Sequence, residues 1–241
     1  MLLEVQSLNK VYVALDFPTW EQTDSFLRDN ELKGVPVKIG MELFYREGIK
    51  IVENLKGRGH DIFLDLKLFD IPTTVMKAMR NLAQLEVDIV NVHALGGQEM
   101  IKRAKEGLSY QGNDKTKLIA VTILTSMDED TIQQQLQLSG TVQQNVIHLA
   151  KLSEQSRADG VVCSVHEVEK IKQVCSDEFL TVTPGIRLSE SSNDDQKRVA
   201  TPADAKKLGA NCIVVGRSIT NANHPLEAYH QVLKEWNNEV L

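Results

Sequence analysis

Eight short apolar runs, each followed by a longer polar segment, constrain this chain more than any other feature. The runs are VYVALDF (11–17), VPVKIG (35–40), DIFLDLKLF (61–69), DIVNVHA (88–94), KLIAVTIL (117–124), GVVCS (160–164), LTVTPG (180–185) and CIVVGR (212–217). Between them lie stretches of helical period, such as IPTTVMKAMRNLAQLE and TVQQNVIHLAKLSEQSRAD. Strand and helix alternating in this way read as a parallel sheet with right-handed crossovers. Eight units close into an α/β (β/α)8 TIM barrel, and 241 residues suit one such domain over 1–241. A doubly wound open sheet would need a G-x-G-x-x-G loop after its first strand. Here that strand runs out as ALDFPTW, without a glycine.

The net charge of −6 gives no general attraction to nucleic acid or to anionic membranes. An anionic ligand must therefore be caught by local positive charge. Cys163, Cys175 and Cys212 follow no metal-like spacing, and an odd, unpatterned count argues for a reducing compartment. The opening MLLEVQSLNK has no long apolar run, and no segment approaches the length of a membrane-spanning helix. A cytoplasmic protein is expected.

Active sites of such barrels sit on the C-terminal rim of the strands. Two rim segments are long, TSMDEDTIQQQLQLSG after strand five and IRLSESSNDDQKRVATP after strand seven, and both are candidate lids. Strand parity also places charge there. In FLDLKLF the leucines face the helices, so Phe63, Asp65 and Lys67 point into the barrel. The same parity sends Val11, Val13 and Leu15 outward and Asp16 inward, and it turns Lys38 inward between Val37 and Ile39. Four ionisable side chains, Asp16, Lys38, Asp65 and Lys67, are thus expected to converge. Buried ion networks seldom stabilise better than hydrophobic replacements, so a network on this rim reads as functional. Asp70 breaks the parity just before Ile71-Pro72, and two uses stay open: capping the next helix or reaching a neighbouring subunit.

Strand eight ends VVGRS, where Gly216 permits close backbone approach and Arg217 offers a forked phosphate ligand. TPGIR after strand seven adds Gly185 and Arg187, with Gln196 further along the same segment. Phosphate sites in barrels are often built from these two loops. His93 shares the inward face with Asn91 and reads as a hydrogen-bonded core histidine rather than a general acid or base. No set of His, Cys and carboxylates has metal spacing, and neither Ser126 nor Ser164 has a recognisable base.

These residues carry a family resemblance. DLKLFDIPTTV resembles the D-x-K-x-x-D signature of the orotidine 5′-phosphate decarboxylases, and VALDF, VKIGMELF, VNVHA, LTS, VTPGIR, DDQKRV and VVGRSIT follow in the family's order. The resemblance spans nearly the whole chain and is to the bacterial single-function form. It implies that Asp16 and Lys38 contact the ribose hydroxyls, that Asp65 lies against the substrate carboxylate, and that Lys67 donates the proton. It implies a homodimer in which Asp70, with Ile71 and Thr74, completes the opposite subunit's site. It places Thr125 by the pyrimidine and Arg187, Gln196, Gly216 and Arg217 on the phosphate, and it implies no cofactor and no metal. Phe69 and Thr73 depart from the commonest pattern, which bears on loop packing and subunit contacts. The nearest alternative is a magnesium-dependent relative, 3-keto-gulonate-6-phosphate decarboxylase or hexulose-6-phosphate synthase, which carries an acid at the end of strand two. This chain has Lys38 there, while Glu42 belongs by spacing to the following helix. A non-catalytic phosphate binder would not need Asp65 and Lys67 together.

Overall fold

The computed structural model describes residues 9–112, 115–188 and 198–237. Eight parallel strands form a closed barrel in sequence order: β1 (Lys10–Leu15), β2 (Val37–Ile39), β3 (Ile62–Leu68), β4 (Ile89–His93), β5 (Lys117–Val121), β6 (Gly160–Val162), β7 (Leu180–Thr183) and β8 (Cys212–Val215). Each falls within one of the eight apolar runs, except that β1 starts one residue earlier at Lys10, and β8 pairs back onto β1 through Lys10–Cys212 to Val13–Val215. The helices are α1 (Trp20–Asp29), α2 (Met41–Glu47), α3 (Ile49–Lys56), α4 (Pro72–Ala83), α5 (Gly97–Leu108), α6 (Val142–Gln155), α7 (Val165–Val174), α8 (Pro202–Lys207), α9 (Arg217–Thr220) and α10 (Pro225–Trp236). None is long and apolar enough to cross a membrane among the described residues.

The alternation of each strand divides the core into two layers. Val11, Val13, Leu15, Leu64 and Leu66 pack outward against the helices. Tyr12, Ala14, Phe63, Ile89, Ile119 and Val182 belong to a separate inner cluster that fills the barrel. A packed interior leaves room for chemistry only at an open end. Gly160 shows how close the packing is: a Cβ there would lie 2.2 Å from the Leu180 carbonyl oxygen, so β6 and β7 meet at this distance only through glycine.

Several helices start where local chemistry dictates. Thr141 and Gln144 form a reciprocal capping box on α6, and Thr201 with Asp204 does the same on α8. Pro72, Pro202 and Pro225 open α4, α8 and α10, where a missing N–H costs nothing. The long segment after β5 is not an open flap. Ile132 in its single wide helical turn is fully buried, and Met127 and Leu138 pack against the core. Its apolar residues, spaced among glutamines, anchor it to the barrel. The part of the segment after β7 that contains Gln196 lies outside the described residues.

Candidate active site

The C-terminal rim opens into a cleft of about 670 Å³ whose walls include Asp16, Lys38, Asp65, Lys67, Thr125 and Arg187. The four charged residues expected from parity form one continuous chain of alternating sign. Lys38 Nζ donates to Asp16 Oδ1 at 2.7 Å and lies 3.8 Å from Asp65 Oδ2. Lys67 Nζ donates to Asp65 Oδ1 at 2.7 Å. Exposure is lowest in the middle of the chain: the Asp16 side chain is 62% exposed, Lys38 10%, Asp65 14% and Lys67 28%. Two ammonium groups thus flank one nearly buried carboxylate, where water screens them little.

The backbone of β3 is irregular at this point, which parity alone does not predict. Leu64 pairs with Val90 and Leu68 with Val92, so Asp65, Leu66 and Lys67 together face the single residue Asn91. Lys67 takes a left-handed conformation with φ of 50°. Non-glycine residues avoid that region, and such strain concentrates at functional sites. The bulge lets two functional side chains of one short stretch reach the same rim.

On the wall built by the neighbouring strands β7 and β8, Pro184, Gly185 and Arg187 after β7 line the cleft together with Gly216 and Arg217 after β8. Gly185 has a φ of 79°, a conformation natural to glycine. Arg187 also donates to the Ile186 carbonyl at 3.0 Å. The cleft therefore has a cationic end at β7 and β8 and a mixed-charge end at β1 to β3, with Ile123, Leu124 and Val182 contributing apolar wall between them. Such a cavity suits a flat, partly apolar body that carries an anionic group remote from a second polar group.

The sequence and the fold match known ones. The model of the orotidine 5′-phosphate decarboxylase / HUMPS family matches residues 9–232. This chain belongs to that family. A relative from Bacillus cereus (strain AH187), named orotidine 5′-phosphate decarboxylase, is 54% identical over 227 residues, covering 93% of this chain and 95% of its own. The crystal structure of orotidine 5′-phosphate decarboxylase from Lactobacillus acidophilus superposes with a TM-score of 0.85 at 43% identity, over 95% of this chain and 99% of that one. The enzyme of that name from Pyrococcus horikoshii OT3 gives a TM-score of 0.73 at 22% identity over 94% of this chain and 99% of its own, a likeness of fold alone.

Some members of the decarboxylase / HUMPS signature stand away from this chain's own cleft. Asp70, Ile71 and Thr74 are exposed. Of the two uses left open for Asp70, capping is not observed: the residue before α4 is Ile71, no side chain caps the helix, and Asp70 accepts the Ile71 N–H at 2.6 Å. Phe69, at a position where the family pattern varies, stacks on His93 with ring centroids 5.8 Å apart. His93 accepts the Leu95 N–H, and burial, with the nearby Lys67 charge, pushes its pKa below the ordinary imidazole value.

Two contacts beside the cleft lay beyond sequence reasoning. Asn91 touches both Asp65 and Lys67, which follows only from the β3 bulge. Arg198, at the end of the segment after β7, pairs with the buried Glu167 and donates to the carbonyls of Ile123 and Leu124 at 3.3 and 3.1 Å. Glu167 also accepts the Ser164 N–H and hydroxyl at 2.8 and 2.6 Å. The S-x-x-E pattern at 164–167 signals the helix start, but nothing local signals the distant arginine.

Proposed function

We propose that this chain decarboxylates orotidine 5′-phosphate to UMP without a metal or cofactor, as a cytoplasmic homodimer. The observation that carries the reading is the alternating array Asp16–Lys38–Asp65–Lys67, with a lysine rather than an acid on β2. In the magnesium-dependent branch of the family, that position is where the resemblance expects a carboxylate. Here an ammonium stands between two acids and supplies the positive charge itself.

The chemistry follows from the array. The bond from C6 of the pyrimidine to its carboxyl carbon breaks, CO2 departs, and the electron pair stays on C6 in the plane of the ring. The ring π system cannot absorb that pair, so fixed charge must stabilise it. Lys67, already oriented by Asp65, supplies a preorganised ammonium and then gives its proton to C6, and such electrostatic preorganisation is usually the largest catalytic contribution. Asp65 stands beside the substrate carboxylate, where the developing loss of CO2 relieves like-charge crowding. Asp16 and Lys38 hold the ribose hydroxyls. Thr125 borders the pyrimidine. Arg187, Gln196, Gly216 and Arg217 take the phosphate, whose binding energy orients a reacting carbon at the other end of the cleft.

Asp70, Ile71 and Thr74 complete the neighbouring subunit's site. Their exposure supports this, and so does the apolar surface beside them in the chain: Phe69 is 61% exposed and Ile71 69%. Large apolar side chains gathered at a rim are characteristic of an interface.

The direct test follows the ultraviolet absorbance of orotidine 5′-phosphate with purified protein in excess EDTA, beside Lys67→Ala. Loss of the substrate band in the wild type alone is expected. A protein inert under EDTA that acts on 3-keto-gulonate 6-phosphate once magnesium is added would instead belong to the metal-dependent branch.

A further inference from the structure

The β3 bulge has one side chain inserted in it. Asn91 is 1% exposed and lies on β4 opposite the three residues Asp65, Leu66 and Lys67. Its Oδ1 accepts the backbone N–H of Lys67 at 2.7 Å, and its Nδ2 donates to Asp65 Oδ1 at 2.6 Å. The carboxamide has no choice of orientation, because an N–H must meet an oxygen and a carboxylate must meet a donor. The Lys67 N–H needs this partner, since the bulge takes Lys67 off the regular β3–β4 register and an unpaired buried N–H is costly. Asp65 Oδ1 therefore receives two donors, from Asn91 and from Lys67 Nζ, and the second oxygen of the carboxylate faces Lys38 at 3.8 Å.

We infer that Asn91 is a positioning residue for the reaction, fixing through one carboxamide both the strained backbone of Lys67 and the rotation of the Asp65 carboxylate. This rests on the decarboxylase reading. One hydrogen bond sets where the lysine leaves the strand, and the other sets which carboxylate oxygen is left for the cleft. Asn91 itself does not line the cleft. Its loss should damage the chemical step and spare ligand binding, because the residues proposed to hold phosphate and ribose lie on other strands and loops.

The groups that face Asn91 are Asp65 and Lys67 from β3 and His93 from its own strand, with Lys38 beyond Asp65, while β5 presents Ile119 and Val121 there. Asn91→Asp separates the two hydrogen bonds. It keeps an acceptor for the Lys67 N–H but sets a carboxyl against Asp65, where only a shared proton restores a donor.

The experiment measures kcat, KM, UMP affinity and thermal unfolding for wild type, Asn91→Ala and Asn91→Asp. Misplacement of reacting groups by an ångström costs about 100-fold, and kcat should fall by at least that order in Asn91→Ala with UMP affinity held within about threefold. In Asn91→Asp the kcat relative to wild type should rise as the pH is lowered. If Asn91→Ala does not fold, that pH-dependent ratio decides the matter alone, and a flat ratio overturns the inference. A kcat near wild type in either variant overturns it, as does a parallel loss of kcat, UMP affinity and melting temperature, which would mark Asn91 as scaffold. An inactive wild type removes the decarboxylase reading and this inference with it, whereas an active wild type beside unaffected variants removes the inference alone.

Discussion

Asp16, just past the end of β1, and Lys38, on neighbouring β2, meet at 2.7 Å against Gly40, whose missing side chain leaves them the space. A Cβ at that glycine would sit 3.2 Å from Asp16 Oδ1 and 3.4 Å from Lys38 Nζ. Backbone strain is not the obstacle, because Gly40 has a φ of −87°. Gly40→Ala should therefore fold normally and push the pair apart by a few tenths of an ångström. With Asp16 and Lys38 holding the ribose as proposed, we expect KM for orotidine 5′-phosphate to rise about tenfold, the equivalent of ~1.4 kcal/mol. Steady-state kinetics beside a melting curve would check it; an unchanged KM would detach the pair from the substrate.

Arg187 and Arg217 line the end of the cleft proposed to take the phosphate. Charge-assisted hydrogen bonds contribute about 1.5–3 kcal/mol each, so Arg187→Ala should lower kcat/KM for the phosphorylated substrate by roughly 10- to 150-fold. Turnover of orotidine, which lacks the phosphate, should be unaffected. A matching loss on both substrates would mean that the arginine shapes the cleft instead.

The proposed sharing of sites between subunits makes a sharp arithmetic prediction. Lys67→Ala and Asp70→Asn should each abolish most activity as homodimers. In a mixed dimer, one site collects both lesions and the other none. After equal mixing and exchange, half the dimers are mixed, so about a quarter of wild-type activity should return. No recovery despite subunit exchange, measured by sedimentation or tagged capture, would place Asp70 outside the neighbouring site.

Acid should destabilise the fold through its buried imidazoles. His60 is 5% exposed and its Nδ1 lies 2.7 Å from the Val35 carbonyl. Burial pushes its pKa below 6.5, with the Val35 hydrogen bond partly opposing, and His93 is lowered likewise by burial and by Lys67. With folded values below unfolded ones, the unfolded chain binds more protons as the pH falls. The stabilisation from keeping these rings neutral is complete above the ordinary imidazole value and is lost as the pH drops through the lowered folded values. Urea midpoints across that range should fall on acidification, with a shallower slope in His60→Gln. An identical slope in wild type and variant would show that His60 does not contribute.

Much of this protein was legible before any coordinates. Eight apolar runs became eight strands, and the period-2 alternation of VYVAL and FLDLKL sorted helix-facing from barrel-filling residues, because side-chain direction in a strand is a local property. The same parity brought Asp16, Lys38, Asp65 and Lys67 to one rim. What parity could not supply was register. Asn91 meets Lys67 and Asp65 only because β3 carries extra residues against β4, and Arg198 meets Glu167 only because the barrel closes two distant loops onto each other. Both contacts depend on distances between segments far apart in the chain. A residue's own neighbours in sequence determined which way it points, and only the tertiary structure decided what it meets there.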